Sequence, residues 1–407
     1  EVPFFTNDLA HTTFRAVEPS RVLDIPRLLL SPKLEHDHIY AADLYRAVIA
    51  SMSDKYHRLS LKFIALLHET GAEKSQSDLV QATQEEIDRF KALMVRIDKE
   101  AIKSGVMADS STTAFMDQAN SMMKSLHRAL GEGSPLTGSE KEQLGASLQN
   151  DMLPYLLTTG TAERFYSKPR GYAGDYLAIH GIYQNMPSGA SRLGPLIDRM
   201  FLEMPPCIAV RNRRKLLAGE ILRTVEEAPH QARVMCLASG PASEVFDAFS
   251  ELPDKTKLKM TLLDIDLQAL AFVDDLRGKS KLATQIDLIN ENLIALFLGR
   301  GRAQVPLQNM IYSVGLIDYL NDKLVGKLLH FAYDHLNPGG RIILGNFHPD
   351  NPAKEFMDHV LEWNLIHRTE EDMHRLFLAS PFRSRCTKIT FEECRIDLFA
   401  ECVKTAD

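Results

Sequence analysis

Between Arg233 and Leu344, five strand-length apolar runs alternate with helical segments, and this alternation constrains the fold more than any other feature of the chain. The runs are Arg233-Val-Met-Cys-Leu-Ala238, Lys259-Met-Thr-Leu-Leu263, Ala283-Thr-Gln-Ile286, Asn309-Met-Ile-Tyr312 and Arg341-Ile-Ile-Leu344. A parallel strand buried on both faces reads as a continuous apolar run, and its pairing needs a helical crossover. The pattern predicts an α/β fold with a Rossmann-like, doubly wound sheet. The β-rich stretch from Cys386 to Val403 predicts added edge strands.

The first 160 residues read differently. Leu44, Val48, Met52, Leu59, Phe63 and Leu67 recur at helical intervals, which predicts a helix from about Ile39 to His68. Thr83-Gln-Glu-Glu86 has the form of a capping box ahead of an Ile87, Phe90, Met94, Ile97 stripe. Phe115 to Leu130 and Ser139 to Leu157 predict two more helices around the Gly131-Glu-Gly-Ser-Pro135 breaker. Residues 1–160 are therefore expected to form a mostly helical region, serving as lid, substrate channel or dimerisation surface, and residues 161–407 the sheet domain. Phe356 to Leu365, with the only tryptophan, Trp363, predicts a helix packed on the sheet.

Composition excludes several functions. The chain of 407 residues is 45% hydrophobic with a net charge of −7, so it lacks the basic excess that nucleic-acid binding requires. Five cysteines without a CxxC pair argue against a disulfide framework or a zinc knuckle, and no metal site is expected. No leader pattern and no apolar run of about 20 residues is present, so the expectation is a cytoplasmic protein without membrane insertion.

In a doubly wound sheet, ligands bind at the carboxyl ends of the strands. The first strand runs into Ala238-Ser-Gly-Pro241, a turn with Ser239 where a cofactor would lie against exposed backbone amides and Gly240 permits the close approach. The second ends in Asp264-Ile-Asp266, about two dozen residues on, where an acid can accept hydrogen bonds from both hydroxyls of a ribose. Asp264 is the candidate for that role, beside Ile265, and Asp266 fits a helix cap better. Asn290, Glu291 and Asn292 after the third strand suit an adenine edge. Ser313 and Gly315 after the fourth keep that end small, and Pro338-Gly-Gly340 predicts a tight turn before the fifth.

With these residues in view, Phe165 to Phe377 resembles the extracellular-factor or 3-hydroxypalmitic acid methyl ester biosynthesis proteins, which are bacterial quorum-signal methyltransferases. The matching segments are Lys168-Pro-Arg-Gly-Tyr-Ala-Gly-Asp175, Ala209-Val-Arg-Asn-Arg-Arg214, Leu237-Ala-Ser-Gly-Pro-Ala242, Leu263-Asp-Ile-Asp266, Tyr312-Ser-Val-Gly-Leu-Ile-Asp-Tyr319, Pro338-Gly-Gly340 with Gly345-Asn-Phe347, and Trp363 to Thr369. The resemblance implies a class I fold, S-adenosylmethionine as cofactor, and methyl transfer to the carboxylate of a hydroxylated fatty acid. Another small metabolite as O- or N-acceptor, and a cofactor-binding regulatory protein, are the alternatives.

Such a carboxylate is already ionised near neutrality, so the site needs an orienting clamp and an apolar channel before it needs a base. Lys168, Arg170, Tyr172 and Asp175 form the candidate clamp, with Arg170 on either the substrate carboxylate or the methionine carboxylate of the cofactor. Arg211 and Arg214, at i and i+3 on one helix, can point together at the cleft. Asn346 and Phe347 are placed to line the acceptor pocket, and His348 to act as base for a hydroxyl or amine acceptor.

Overall fold

The computed structural model describes residues 78–104, 109–301 and 303–405, and these lie within one compact unit, Gln76–Asp407. The helix expected from Ile39 to His68 lies outside the described residues. Three long helices come first: α1 (Asp78–Ser104), α2 (Asp109–Leu130) and α3 (Gly138–Leu156). In α1 the stripe Ile87, Phe90, Met94 and Ile97 is fully or almost fully buried, as a spacing of three and four requires. Thr83 does not start this helix. It lies in the second turn, and its hydroxyl donates to the Leu79 carbonyl at 2.8 Å, an alternative use open to a threonine four residues on. The capping box occurs instead at α3, where Thr137 and Glu140 satisfy each other's backbone.

The expected boundary at residue 160 is not a seam. Leu144, Leu148, Met152 and Leu156 of α3 share one apolar core with Phe165, Ile182, Phe201, Phe347 and Phe356. Four further helices, α4 (Ala162–Ser167), α5 (Tyr176–Gln184), α6 (Gly194–Leu202) and α7 (Pro205–Glu227), lead from this core to the sheet.

The sheet has seven strands in the order β3-β2-β1-β4-β5-β7-β6. They are β1 (Ala232–Leu237), β2 (Leu258–Asp264), β3 (Ile286–Asn290), β4 (Gln308–Ser313), β5 (Leu336–Phe347), β6 (Lys388–Phe391) and β7 (Asp397–Val403). The first five run parallel, and β7 lies antiparallel to β5 with β6 outside it. Thus only β6 of the tail pair forms an edge. Along β1, β2 and β4 nearly every residue is buried, in keeping with continuous apolar runs between helical layers. These helices are α8 (Ser243–Glu251), α9 (Leu267–Lys279), α10 (Leu293–Phe297) and α11 (Asp322–His335) in the crossovers, then α12 (Lys354–His359) and α13 (Glu370–Leu378).

Three local expectations shift. The third strand starts at Ile286, because Leu282 and Gln285 are taken up in the turn that ends α9, through Leu282 N–H to Arg277 and Gln285 N–H to Leu282. Pro338-Gly-Gly340 lies inside β5 rather than before it, as an irregularity in the pairing with β4. The helix expected over Phe356 to Leu365 ends at His359, so Trp363 follows it in irregular chain. No helix among the described residues is long and apolar enough to cross a membrane.

Candidate active site

A cavity of about 370 Å³ opens at the carboxyl ends of β1, β2 and β4. Its floor is the turn after β1, where Ala238, Gly240 and Ala242 all have positive φ, at 59°, 51° and 47°. Two alanines in the left-handed region cost conformational energy that a plain turn would avoid, and such strain collects at functional sites. The Gly240 N–H donates to Asp264 Oδ2 at 2.9 Å, and the Asp266 N–H to Oδ1 at 2.9 Å. One carboxylate therefore joins the exits of β1 and β2 while facing the cavity. Burial raises its pKa, and the backbone hydrogen bonds oppose that rise. Ser239 is also among the lining residues and is buried, and its Oγ has no hydrogen-bond partner among the described residues.

The other cofactor-end candidates divide between wall and support. Ala238, Pro241, Ile265, Asn292 and Gly315 line the cavity. Ile265 keeps 59% of its surface exposed there, and Leu293 lines it too. Asn290 supports from behind, its Nδ2 donating to the carbonyls of Asp264 and Ile265. Glu291 accepts from the Asn292 amide beside it and from the Ala303 amide beyond α10. Ser313 is likewise behind the wall, donating to the Leu237 carbonyl at 2.9 Å.

The 168–175 segment is less a clamp than a brace. Arg170 forms a bidentate ion pair with Asp266 and a hydrogen bond to Gln268 at 2.8 Å, and its guanidinium is not on the cavity wall. Asp266 also caps α9 through the Gln268 amide. Lys168 donates to the Glu362 carbonyl at 2.8 Å. Asp175 is fully buried as the cap of α5 and accepts from Arg164 at 2.9 Å. Only Tyr172 and Gly174 of this segment reach the cavity.

The α7 pair is corrected in the same way. Arg211 bonds the Leu202 carbonyl, and Arg214 makes a bidentate pair with Asp247. The arginine on the wall is Arg213, between them in sequence. It falls on the buried stripe of Ala209, Val210, Leu217 and Ile221, so an arginine at a core position of a helix was the available signal. Its Nη1 donates to Asp397 at 3.2 Å, while its Nε has no partner among the described residues. Burial pushes the Asp397 carboxyl up to about 7, against the pull of Arg213. Gly315, with φ of 73°, passes so close that a Cβ there would lie 3.3 Å from Arg213 Nη2. A side chain would strain the backbone and displace the guanidinium.

Phe347 lines the cavity as expected, edge-on to Trp363 at 6.3 Å. Asn346 does not: it is buried, accepting from Arg368 and donating to the Ile366 carbonyl. His348 faces Glu370 at 3.2 Å and is not on the cavity wall. Sequence reasoning missed Glu244, Asp318 and Tyr319 as wall residues and placed Trp363 mainly in the core; it is 4% exposed and also lines the cavity.

Residues 170–388, more than half of the chain, match the model of a family described as "Putative methyltransferase". The chain belongs to this methyltransferase family. A structure of a possible exported protein from Bordetella parapertussis shares the fold, with 21% identity, a TM-score of 0.50, and coverage of 74% of this chain and 100% of that one. The S-adenosylmethionine-dependent methyltransferase SibL aligns at 14% identity over 80% of this chain and 96% of its own, with a TM-score of 0.41. The N-methyltransferase NodS from Bradyrhizobium japonicum, in complex with S-adenosyl-L-homocysteine, aligns at 12% identity over 57% of this chain and 98% of its own, with a TM-score of 0.35. No curated protein matches the chain.

A methyltransferase on this sheet is a class I enzyme, and its methyl donor is S-adenosylmethionine. The residues fit that group. An unpartnered Ser239 hydroxyl and a carboxylate at the end of β2 offer polar contacts, and Ile265 and Leu293 on the same wall offer apolar surface for an adenosine.

Proposed function

We propose that this enzyme methylates the carboxylate of a hydroxylated fatty acid, giving a methyl ester of the kind used as a quorum signal. The supporting observation is the character of the wall away from Asp264. Tyr176, Ile179, Tyr183, Val210, Leu316, Phe347, Trp363 and Leu365 make it apolar and aromatic, with Arg213 as its cation and no histidine among the described lining residues. Glu244 accepts from Tyr312 at 2.7 Å and Asp318 from the Phe347 amide at 2.8 Å, so both acids are engaged internally. Such a wall suits an acyl chain whose head is already ionised and needs no base.

Asp264 would hold the ribose, Ile265 and Leu293 would flank the adenine, and Arg213 with Ser239 would receive the methionine end. When bound, the sulfonium supplies a methyl carbon open to in-line attack. The acceptor carboxylate would bring its own electron pair to that carbon, so no residue of this chain need move a proton. The chain's own task is therefore alignment and exclusion of water. The acceptor is a small acyl carboxylate rather than a nucleic acid, the five free cysteines suit a reducing cytoplasm, and a homodimer is compatible with these roles.

The test is methyl transfer by the full chain to fatty acids of several lengths, with and without a hydroxyl, read as methyl ester and S-adenosylhomocysteine. At saturating cofactor the rate should stay nearly flat from about pH 6 to 8.5, and His348→Gln should spare it. Methylation of an amine or phenol with no fatty acid accepted, or a steep pH limb abolished by His348→Gln, would overturn the proposal.

A further inference from the structure

The Tyr319 hydroxyl is aimed by an unusual constraint. Trp363 Nε1 lies 2.8 Å from Tyr319 Oη, and an indole nitrogen can only donate. Tyr319 is therefore the acceptor in this pair, and its own hydrogen must point elsewhere. No described residue accepts that hydrogen, while the ring lines the cavity and keeps 40% of its surface open. A Cβ added at Gly174 would stand 3.3 Å from this oxygen, so the Gly174 backbone packs beside it. The loop carrying Tyr319 is itself fixed: Arg368 bonds the carbonyls of Ile317 and Leu320, and the Ile366 amide bonds that of Asp318.

We infer that Tyr319 is a substrate-touching residue that donates its hydroxyl hydrogen to the acceptor carboxylate, and that this donation selects oxygen anions over cationic amines. The inference rests on the carboxylate reading above and deepens it. Burial holds the Tyr319 phenol up at about 12, against the hydrogen bond from Trp363, so the proton stays on oxygen at working pH. A hydroxyl that accepts one hydrogen bond is polarised into a better donor for the next. Methyl transfer to a carboxylate moves no proton, so Tyr319 acts as donor only and is unchanged at the end of each turnover. A protonated amine has no lone pair to accept the hydrogen and meets the positive end of the O–H dipole instead.

Trp363 is the only tryptophan in the chain, so intrinsic tryptophan emission reports on this pair directly and without turnover. Binding of a hydroxylated fatty acid and of the matching fatty alcohol can be titrated by that emission in wild type and Tyr319→Phe, with S-adenosylhomocysteine affinity as the control. In Tyr319→Phe the acid should lose about ten- to hundredfold in affinity and the alcohol about two- to tenfold, the ratio expected for charged against neutral partners. S-adenosylhomocysteine should bind unchanged. Trp363→Phe, assayed for methyl transfer, should be impaired less than Tyr319→Phe, since it keeps the hydroxyl. Unchanged acid affinity, equal losses for acid and alcohol, or Trp363→Phe as damaging as Tyr319→Phe would show a packing role and overturn the inference. If wild type methylates fatty acids and Tyr319→Phe does so equally well, only this inference falls. If wild type binds no fatty acid, the carboxylate reading falls and this inference with it.

Discussion

The two ends of the cavity are built by opposite means. At the adenosine end Asp264, Asn290 and Ser313 each bond the backbone of an adjoining strand or turn, and Asn292 caps the helix that follows it. Around the methionine and acceptor end the partners are side chains far apart in sequence: Arg213 and Asp397 are 184 residues apart and Tyr319 and Trp363 are 44 apart. The first end belongs to the sheet itself and would survive wide changes of substrate. The second is assembled from side chains that only the tertiary fold brings together, so a single substitution there can change what the cavity accepts.

The sharpest way to break that contrast is at the buried pair. Arg213→Met leaves Asp397 uncompensated and should lower stability by about 3 to 5 kcal/mol, seen as a fall in Tm. The double variant with Asp397→Leu should recover most of the loss, and failure to recover would mean that Arg213 serves the fold by packing alone. At the other end, Asp264→Ala should weaken S-adenosylhomocysteine binding by about 1.5 to 3 kcal/mol by calorimetry, with fatty-acid affinity nearly unchanged. Loss of both affinities together would deny that the ends are separable. The smallest effect joins them through pH. As Asp397 ionises around about 7, it screens Arg213 from an incoming carboxylate. Cofactor affinity should fall about threefold from pH 6 to 8, on the order of 0.6 kcal/mol, and Asp397→Asn should flatten the curve.

The same contrast explains what could be read in the sequence. Four of the five strand runs, the turn at Gly240 and the acid at Asp264 follow a local grammar of strand end and loop, and they stand where that grammar places them. Arg170, Arg211 and Arg214 satisfied the demand for a cation equally well on paper. Their ion partners, Asp266, Glu203 and Asp247, lie on neighbouring elements and draw them off the wall. Arg213 differed only in lying on the apolar stripe of its helix, a signal of burial rather than of charge. Tyr319 and Trp363 meet because the chain after α12 runs irregularly back to the loop after β4, and periodicity carries no information about such a path.

The insertion of β7 between β5 and β6 also sets an order of events during synthesis. Asp397 opens β7 and emerges 184 residues after Arg213, an interval of roughly 10 to 40 s at translation rates of about 5 to 20 residues per second. Throughout it the nascent chain carries an arginine destined for burial without its ion-pair partner. Docking of α7 against the growing sheet should therefore remain reversible until the last hairpin leaves the ribosome.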